Sequence, residues 1–238
     1  MKDSSKYYLT DHYSWVKTET GTFMCAHETA DGLVYSVLSQ DKHTLLEGNA
    51  SYMEFKKNDK LVDSPSAAYI YRIQCPNLWD CIGTNIIRQV IRASQAKNMY
   101  RTFSEYVGER VILTGGIRYH LFPSPQKVLE TPDSTYQRMG MSFKRDALKS
   151  AARFILEHAD RLEKIQALDL LDELMKIHRV GNWTARATVA DYTNELAIFP
   201  YGDAAIRFYA REALPRHEWP KEEVAFIQEL HKVAGVEN

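Results

Sequence analysis

The stretch that decides the fold reads LMKIHRVGNWTARATVADYTNELAIFPYGDAAIR, Leu174 to Arg207. Two helical patterns, one closing near Ile177 and one opening at Trp183, are joined only by His178-Arg179-Val180-Gly181-Asn182. Gly181 is expected to supply a positive φ in this link. The main-chain N–H groups from Gly181 to Thr184 open the second helix and have no partners within it. Such a cluster can hold a phosphate through hydrogen bonds and the helix dipole, without reading any sequence. The carbonyls of Met175, Ile177 and Val180 close the first helix on the same turn, where a Na+ or K+ ion could bridge to that phosphate. A plain helical hairpin accounts for the same pattern, so the segment alone leaves both readings open.

Outward from this hairpin, the chain divides by pattern. Before Gln74 it carries short β-type runs at Gly21–His27, Leu33–Leu38, Ser51–Lys56 and Ala68–Ile73, parted by the polar clusters Thr29–Gly32 and Lys57–Lys60. After Cys75-Pro76-Asn77, with Asn77 a candidate cap, the periodicity turns helical. Helices are predicted over Leu78–Ser94, Ala96–Val107, a short piece from Phe122-Pro123-Ser124-Pro125 to near Glu130, Ser142–His158, Ala167–Ile177, Trp183–Tyr192, Asp203–Leu214 and Pro220–Val233. Phe143, Leu148, Ala151, Phe154 and Ile155 form the predicted inner side of the fourth of these. Leu168, Leu171, Leu174 and Met175 form that of the next. The expected fold is α+β, with a small antiparallel β-sheet domain over 1–75 and an all-helical domain over 76–238.

Composition narrows the class. At 238 residues, with 45% hydrophobic and 26% charged residues, the chain can bury a sizeable core as an ordinary globular protein. No apolar run reaches membrane-spanning length, and the N-terminus lacks the layout of a secretion signal. Cys25, Cys75 and Cys81 show no C-x-x-C spacing, and the eight histidines are scattered. The expectation is a reducing cytoplasm, no transition metal and no organic cofactor. The net charge of −1 hides an uneven distribution. Ile86–Lys127 holds Arg88, Arg92, Lys97, Arg101, Arg110, Arg118 and Lys127 against Glu105 and Glu109, and Arg138–Arg153 is basic apart from Asp146. A basic face fits this pattern, with Arg92 and Lys144 among its candidates, as do plain solvated helices.

The hairpin also keeps particular company. V-G-N-W-T-A at Val180–Ala185 and F-P-Y-G-D at Phe199–Asp203 occur in order, preceded by I-I-R-Q-V-I at Ile86–Ile91, Y-V-G-E-R-V at Tyr106–Val111, F-P-S-P at Phe122–Pro125 and M-G-M-S-F-K-R at Met139–Arg145. From Leu78 to Leu214 the chain resembles the helix-hairpin-helix DNA glycosylase superfamily, and within it the bacterial 3-methyladenine DNA glycosylase II type. The resemblance implies a monomeric enzyme that binds double-stranded DNA and hydrolyses the N-glycosidic bond of a damaged base, an alkylated purine above all. It implies DNA contacts at Arg179, Val180, Gly181, Asn182 and Thr184, a wedge at Gln89 and Val90, a pocket aromatic at Trp183 and a catalytic carboxylate at Asp203. Lyase-type relatives carry a lysine nucleophile where this chain has Trp183, which implies a monofunctional glycosylase.

Three departures qualify the likeness. Arg179 stands where the family usually has glycine, and Arg88 where its wedge loop has glutamine or glycine. A further family helix bearing an aromatic is not found after Pro220–Val233, so the pocket is expected to be more open or to be closed by the N-terminal domain. A non-catalytic DNA-binding module is the rival reading. A glycosylase for uracil, hypoxanthine or an oxidised purine is another.

Overall fold

A computed structural model of the chain describes residues 6–9, 12–18, 22–29, 32–39, 44–47, 52–56 and 69–234. The expected turn at Lys57–Lys60 and the strand starts at Gly21, Ser51 and Ala68 lie outside these residues. Strands β1 (Lys6–Leu9), β2 (Val16–Lys17), β3 (Phe23–Thr29), β4 (Gly32–Ser39), β5 (Thr44–Glu47), β6 (Tyr52–Lys56) and β7 (Tyr69–Ile73) build two small sheets. One is the antiparallel run β2-β3-β4-β5. In the other, ordered β1-β7-β6, β6 is antiparallel to β7 while β1 runs parallel to it, Lys6 facing Tyr69.

After Cys75 the chain turns helical. Asn77 caps α1 (Leu78–Arg88), its Oδ1 accepting from the Asp80 N–H at 2.8 Å. Then come α2 (Ala93–Val107), a hairpin of β8 (Arg110–Leu113) and β9 (Ile117–His120), α3 (Pro125–Glu130), α4 (Asp133–Arg138), α5 (Ser142–Leu162) and α6 (Ala167–Leu174). The helices α7 (Asn182–Thr193), α8 (Ala204–Ala213) and α9 (Glu223–Ala234) follow, with a 3-10 turn at Leu196–Ile198. The β8–β9 hairpin turns at Gly115 and Gly116, both with positive φ, as a tight hairpin requires. Its Leu113 and Tyr119, with Leu121, pack on Met24, Ala26 and Val37. That explains why Phe23, Met24, Cys25 and Ala26 are buried in succession: this end of β3 is covered on both faces.

Helix α1 is the axis of the helical part and packs against α2, α5 and α7. Ile82, Ile86 and Ile87 are fully buried among Phe103, Leu148, Ala151 and Val189. Truncating Ile86 to alanine would cost about 2–5 kcal/mol. Gly83 is required by close approach, because a Cβ there would stand 2.3 Å from the Phe122 ring. A buried polar network fixes α7 to this axis and to β7. Arg72 pairs closely with Asp191 Oδ1 and donates to Ala190 O at 2.8 Å and Asn194 Oδ1 at 2.7 Å. Asn85 donates to Asp191 Oδ2 at 3.0 Å. Removing Asp191 would take away the buried carboxylate that Arg72 pairs with and cost about 3–5 kcal/mol.

Two helix faces differ from the sequence expectation. In α6 the inward residues are Leu170, Leu171 and Leu174, while Leu168 and Met175 are exposed. In α5, Phe143 is 50% exposed and Lys144, expected on the basic face, is 1% exposed. The cause is the end of α1, whose last carbonyls need donors. Lys144 Nζ supplies them, donating to Ile86 O at 2.8 Å and Gln89 O at 2.6 Å. Burial lowers the pKa of this amine to about 8.

Candidate active site

Four turns of the fold meet at one cavity of about 690 Å³: the segment Arg88–Ala93 after α1, Gly181 at the hairpin, Trp183 and Thr184 in α7, and Asp203–Ala205 at the start of α8. The structure therefore brings Gln89, Val90, Gly181, Trp183, Thr184 and Asp203 together. Arg179 and Asn182 lie on the exposed outer side of the hairpin turn, and Val180 is buried in the core beneath it.

The turn after α1 is strained and held at several points. Val90 is 96% exposed at φ +52°, a conformation a β-branched side chain rarely takes. Next to it, Gln89 Nε2 donates to Arg179 O at 3.0 Å and to Thr184 Oγ1 at 2.9 Å. Lys144 holds the same turn from below. Strain of about 1–3 kcal/mol survives only where the surroundings over-determine it, and here they do. Gln89 thus ties the turn to the hairpin, while Val90 is the side chain that projects.

The hairpin reaches its tight geometry differently from expectation. Gly181 has φ −91° and serves as the N-cap of α7; the left-handed residue is Arg179, at φ +65°. The link is short enough to need one residue turned left-handed, and it falls two places before the glycine. Arginine accepts that conformation at a cost. Gly181 has open space where a Cβ would stand and offers no capping side chain, so the first N–H groups of α7 remain available to an outside acceptor. Ile177 O already accepts from the Val180 N–H at 3.0 Å, which engages one lone pair of one carbonyl expected to face a cation.

At the far wall, Asp203 caps α8, Oδ1 accepting from the Ala205 N–H at 2.8 Å. Its Oδ2 accepts from Trp183 Nε1 at 2.6 Å. One donor on each oxygen fixes the carboxylate plane, and the indole that does so also forms a cavity wall. A carboxylate so held can stabilise positive charge developing on a sugar and orient a water towards it. The Arg88 guanidinium lies over the Trp183 ring, 5.7 Å from its centre. It donates to Asn85 Oδ1 at 3.1 Å and stands 3.5 Å from Asp191 Oδ2, which links the cavity to the buried network. The sequence marked Arg88 as one of a basic run and as a departure from the family pattern, and did not single out Asp191 or Arg72.

The chain superposes on solved structures of DNA glycosylases. The chain superposes on a 3-methyladenine DNA glycosylase from Archaeoglobus fulgidus with a TM-score of 0.67 and 16% identity, over 94% of this chain and 84% of that one. The apo-form of the 8-oxoguanine glycosylase/lyase from Clostridium acetobutylicum gives 0.60 and 15%, over 93% and 83%. The latter in complex with double-stranded DNA containing cytosine opposite 8-oxoG gives 0.60 and 14%, over 94% and 84%. No protein-family model and no curated protein matches the sequence. At these identities the likeness is one of fold: the chain shares the architecture of these structures. Among the described residues, no helix is long and apolar enough to cross a membrane.

Proposed function

We propose that this protein is a monofunctional DNA glycosylase that removes a damaged base from duplex DNA by hydrolysing its N-glycosidic bond. The observation that carries the reading is the Trp183–Asp203 hydrogen bond of 2.6 Å across a cavity also bordered by the strained Val90 turn and the open start of α7. In this reading the α7 N–H groups and Arg179 hold a phosphate, Val90 enters the gap left by the flipped base, and Asp203 stabilises the sugar cation. Among the described residues that line the cavity there is no lysine, so no Schiff-base nucleophile stands ready. The fold it shares with enzymes named for 3-methyladenine and 8-oxoguanine supports a base-excision role.

An alkylated purine is the first substrate class, since a cationic base stacks on an electron-rich indole. Arg88 favours a second: its guanidinium already faces Trp183 and repels another cation, whereas a neutral lesion bearing carbonyl acceptors would receive its hydrogen bonds. Single-turnover excision from duplexes carrying methylated purines, hypoxanthine, uracil or 8-oxoguanine separates these classes. Product strands should stay intact until alkali is added, and borohydride should trap no adduct. Release of no base from any duplex would leave only a DNA-binding module, and a trapped adduct would overturn the monofunctional assignment.

A further inference from the structure

Far from this cavity, at the other end of α1, three soft donors meet in the interior. His12, Cys75 and Cys81 are all buried, and one ligating atom from each lies within 4.8 Å of the other two. Their chain positions are unrelated: His12 lies in the segment before β2, Cys75 in the junction after β7, and Cys81 in the first turns of α1. We infer that they form a structural zinc site that pins the N-terminal sheets to α1.

The donor set fits that ion. Two thiolates and an imidazole suit zinc, with bonds of about 2.3 and 2.0–2.1 Å, so the ligand atoms need lie about 3.5–3.8 Å apart. A group confined within 4.8 Å closes on that geometry with movements of an ångström or less. Nδ1 is 2.7 Å from Ser14 Oγ and accepts from the Ser14 N–H at 3.3 Å, so metal binding at Nε2 would place the ring proton on Nδ1, where Ser14 Oγ can accept it. Asp80 Oδ1 stands 3.9 Å from Nε2 but outside the three-donor group, its carboxylate accepting from the Tyr100 hydroxyl at 3.0 and 3.1 Å. Binding would displace both thiol protons, so the two negative charges formed in this dry place would be matched by the ion's two positive ones. Cys25 is also buried but stands outside the group, which makes it an internal control. The sequence expectation of no transition metal rested on the missing C-x-x-C spacing and on the scattered histidines. Here the site is assembled by the fold and not by a local motif.

The test is metal analysis of the full chain, purified without a metal-affinity step, together with cobalt reconstitution of the stripped protein. One zinc per chain is expected, and cobalt should give an intense thiolate-to-metal charge-transfer band. Cys75→Ser, Cys81→Ser and His12→Ala should each lose the metal, while Cys25→Ser keeps it. If the ligand variants do not fold, the wild-type cobalt spectrum and the Cys25→Ser control still decide. Metal-free wild-type protein without a thiolate–cobalt band would overturn the site. So would equal loss of metal in Cys25→Ser, or a Cys75–Cys81 disulfide in protein prepared under reducing conditions.

Discussion

Helices α7 and α8 start at the same cavity, and they start in opposite ways. α7 opens on Gly181, with no side-chain acceptor, and leaves its first N–H groups free. α8 opens on Asp203, which satisfies its own helix through Ala205 and turns its second oxygen to Trp183. Each choice costs something: an uncapped start forgoes some of the 0.5–2 kcal/mol or so that a side-chain cap is worth. An open start attracts an anion, and a carboxylate-capped start presents negative charge to a nascent cation. The difference shows how two copies of one element can divide binding from chemistry inside one cavity. It also makes that division testable, because each start can be converted towards the other.

The largest effect is expected at α8. Asp203→Asn keeps the size and the capping oxygen but removes the charge and sets an NH2 against the Trp183 N–H, so some stability should be lost with that hydrogen bond while the chemical step falls by at least about a hundredfold. Single-turnover excision beside a binding titration separates the two; unchanged excision in a folded variant would reduce Asp203 to a cap. Next comes Gly181→Asp, which gives α7 the start that α8 has. Its φ of −91° and the open space at its Cβ position admit the side chain without strain. Thermal stability should rise by a few tenths of a kcal/mol, while affinity for undamaged duplex falls on the order of tenfold and becomes less salt-dependent. Equal affinity would show that the phosphate is held elsewhere.

How much of this was legible in the sequence follows from distance along the chain. The hairpin and the Gly-Asp step are contiguous, so local pattern and family likeness reach them directly. The Gln89–Val90 turn could be placed, although its strain could not, because φ is decided by how Lys144 and the hairpin close around it. Lys144 was misassigned because amphipathic patterning sends lysine outward, and only the unfinished end of α1 draws this one in. Thr114-Gly115-Gly116 does carry a hairpin signal between two apolar runs, which the all-helical reading of 76–238 passes over. Arg72 with Asp191, and His12 with the two cysteines, pair across long stretches of chain, where periodicity has nothing to say.

Val90 sharpens the comparison at a third wall of the cavity, where strain takes the place of an open or capped start. Val90→Gly removes a conformation that costs valine energy and costs glycine none, and deletes the projecting side chain. The thermal midpoint should rise, by roughly 1 kcal/mol of stability, while excision from duplex falls several-fold. Excision from single-stranded DNA, which needs no wedge, should be nearly unchanged. A loss of stability would mean that the turn holds no strain.

The smallest effect is expected at Arg179, the neighbour of the open start. Its backbone is left-handed at φ +65°, which costs a non-glycine residue about 1–2 kcal/mol. Its side chain returns little, since the ion pair with Asp146 spans 3.8 Å between largely exposed groups. The carbonyl that accepts from Gln89 is main chain and survives substitution. In Arg179→Gly the relief of the turn is opposed by glycine's greater freedom in the unfolded chain, about 0.5–1 kcal/mol, so the net gain should be near 0.5 kcal/mol. Chemical denaturation reads that term. The salt dependence of duplex binding reads the other role of the side chain, and its slope should drop by about one if the guanidinium meets a phosphate. Combining Arg179→Gly with Gly181→Asp then asks whether both act on the same phosphate. If they do, the second substitution should cost less binding than it does alone, because the anion is already displaced. Full additivity would place Arg179 on a different phosphate, and the open start of α7 would hold its anion without arginine's help.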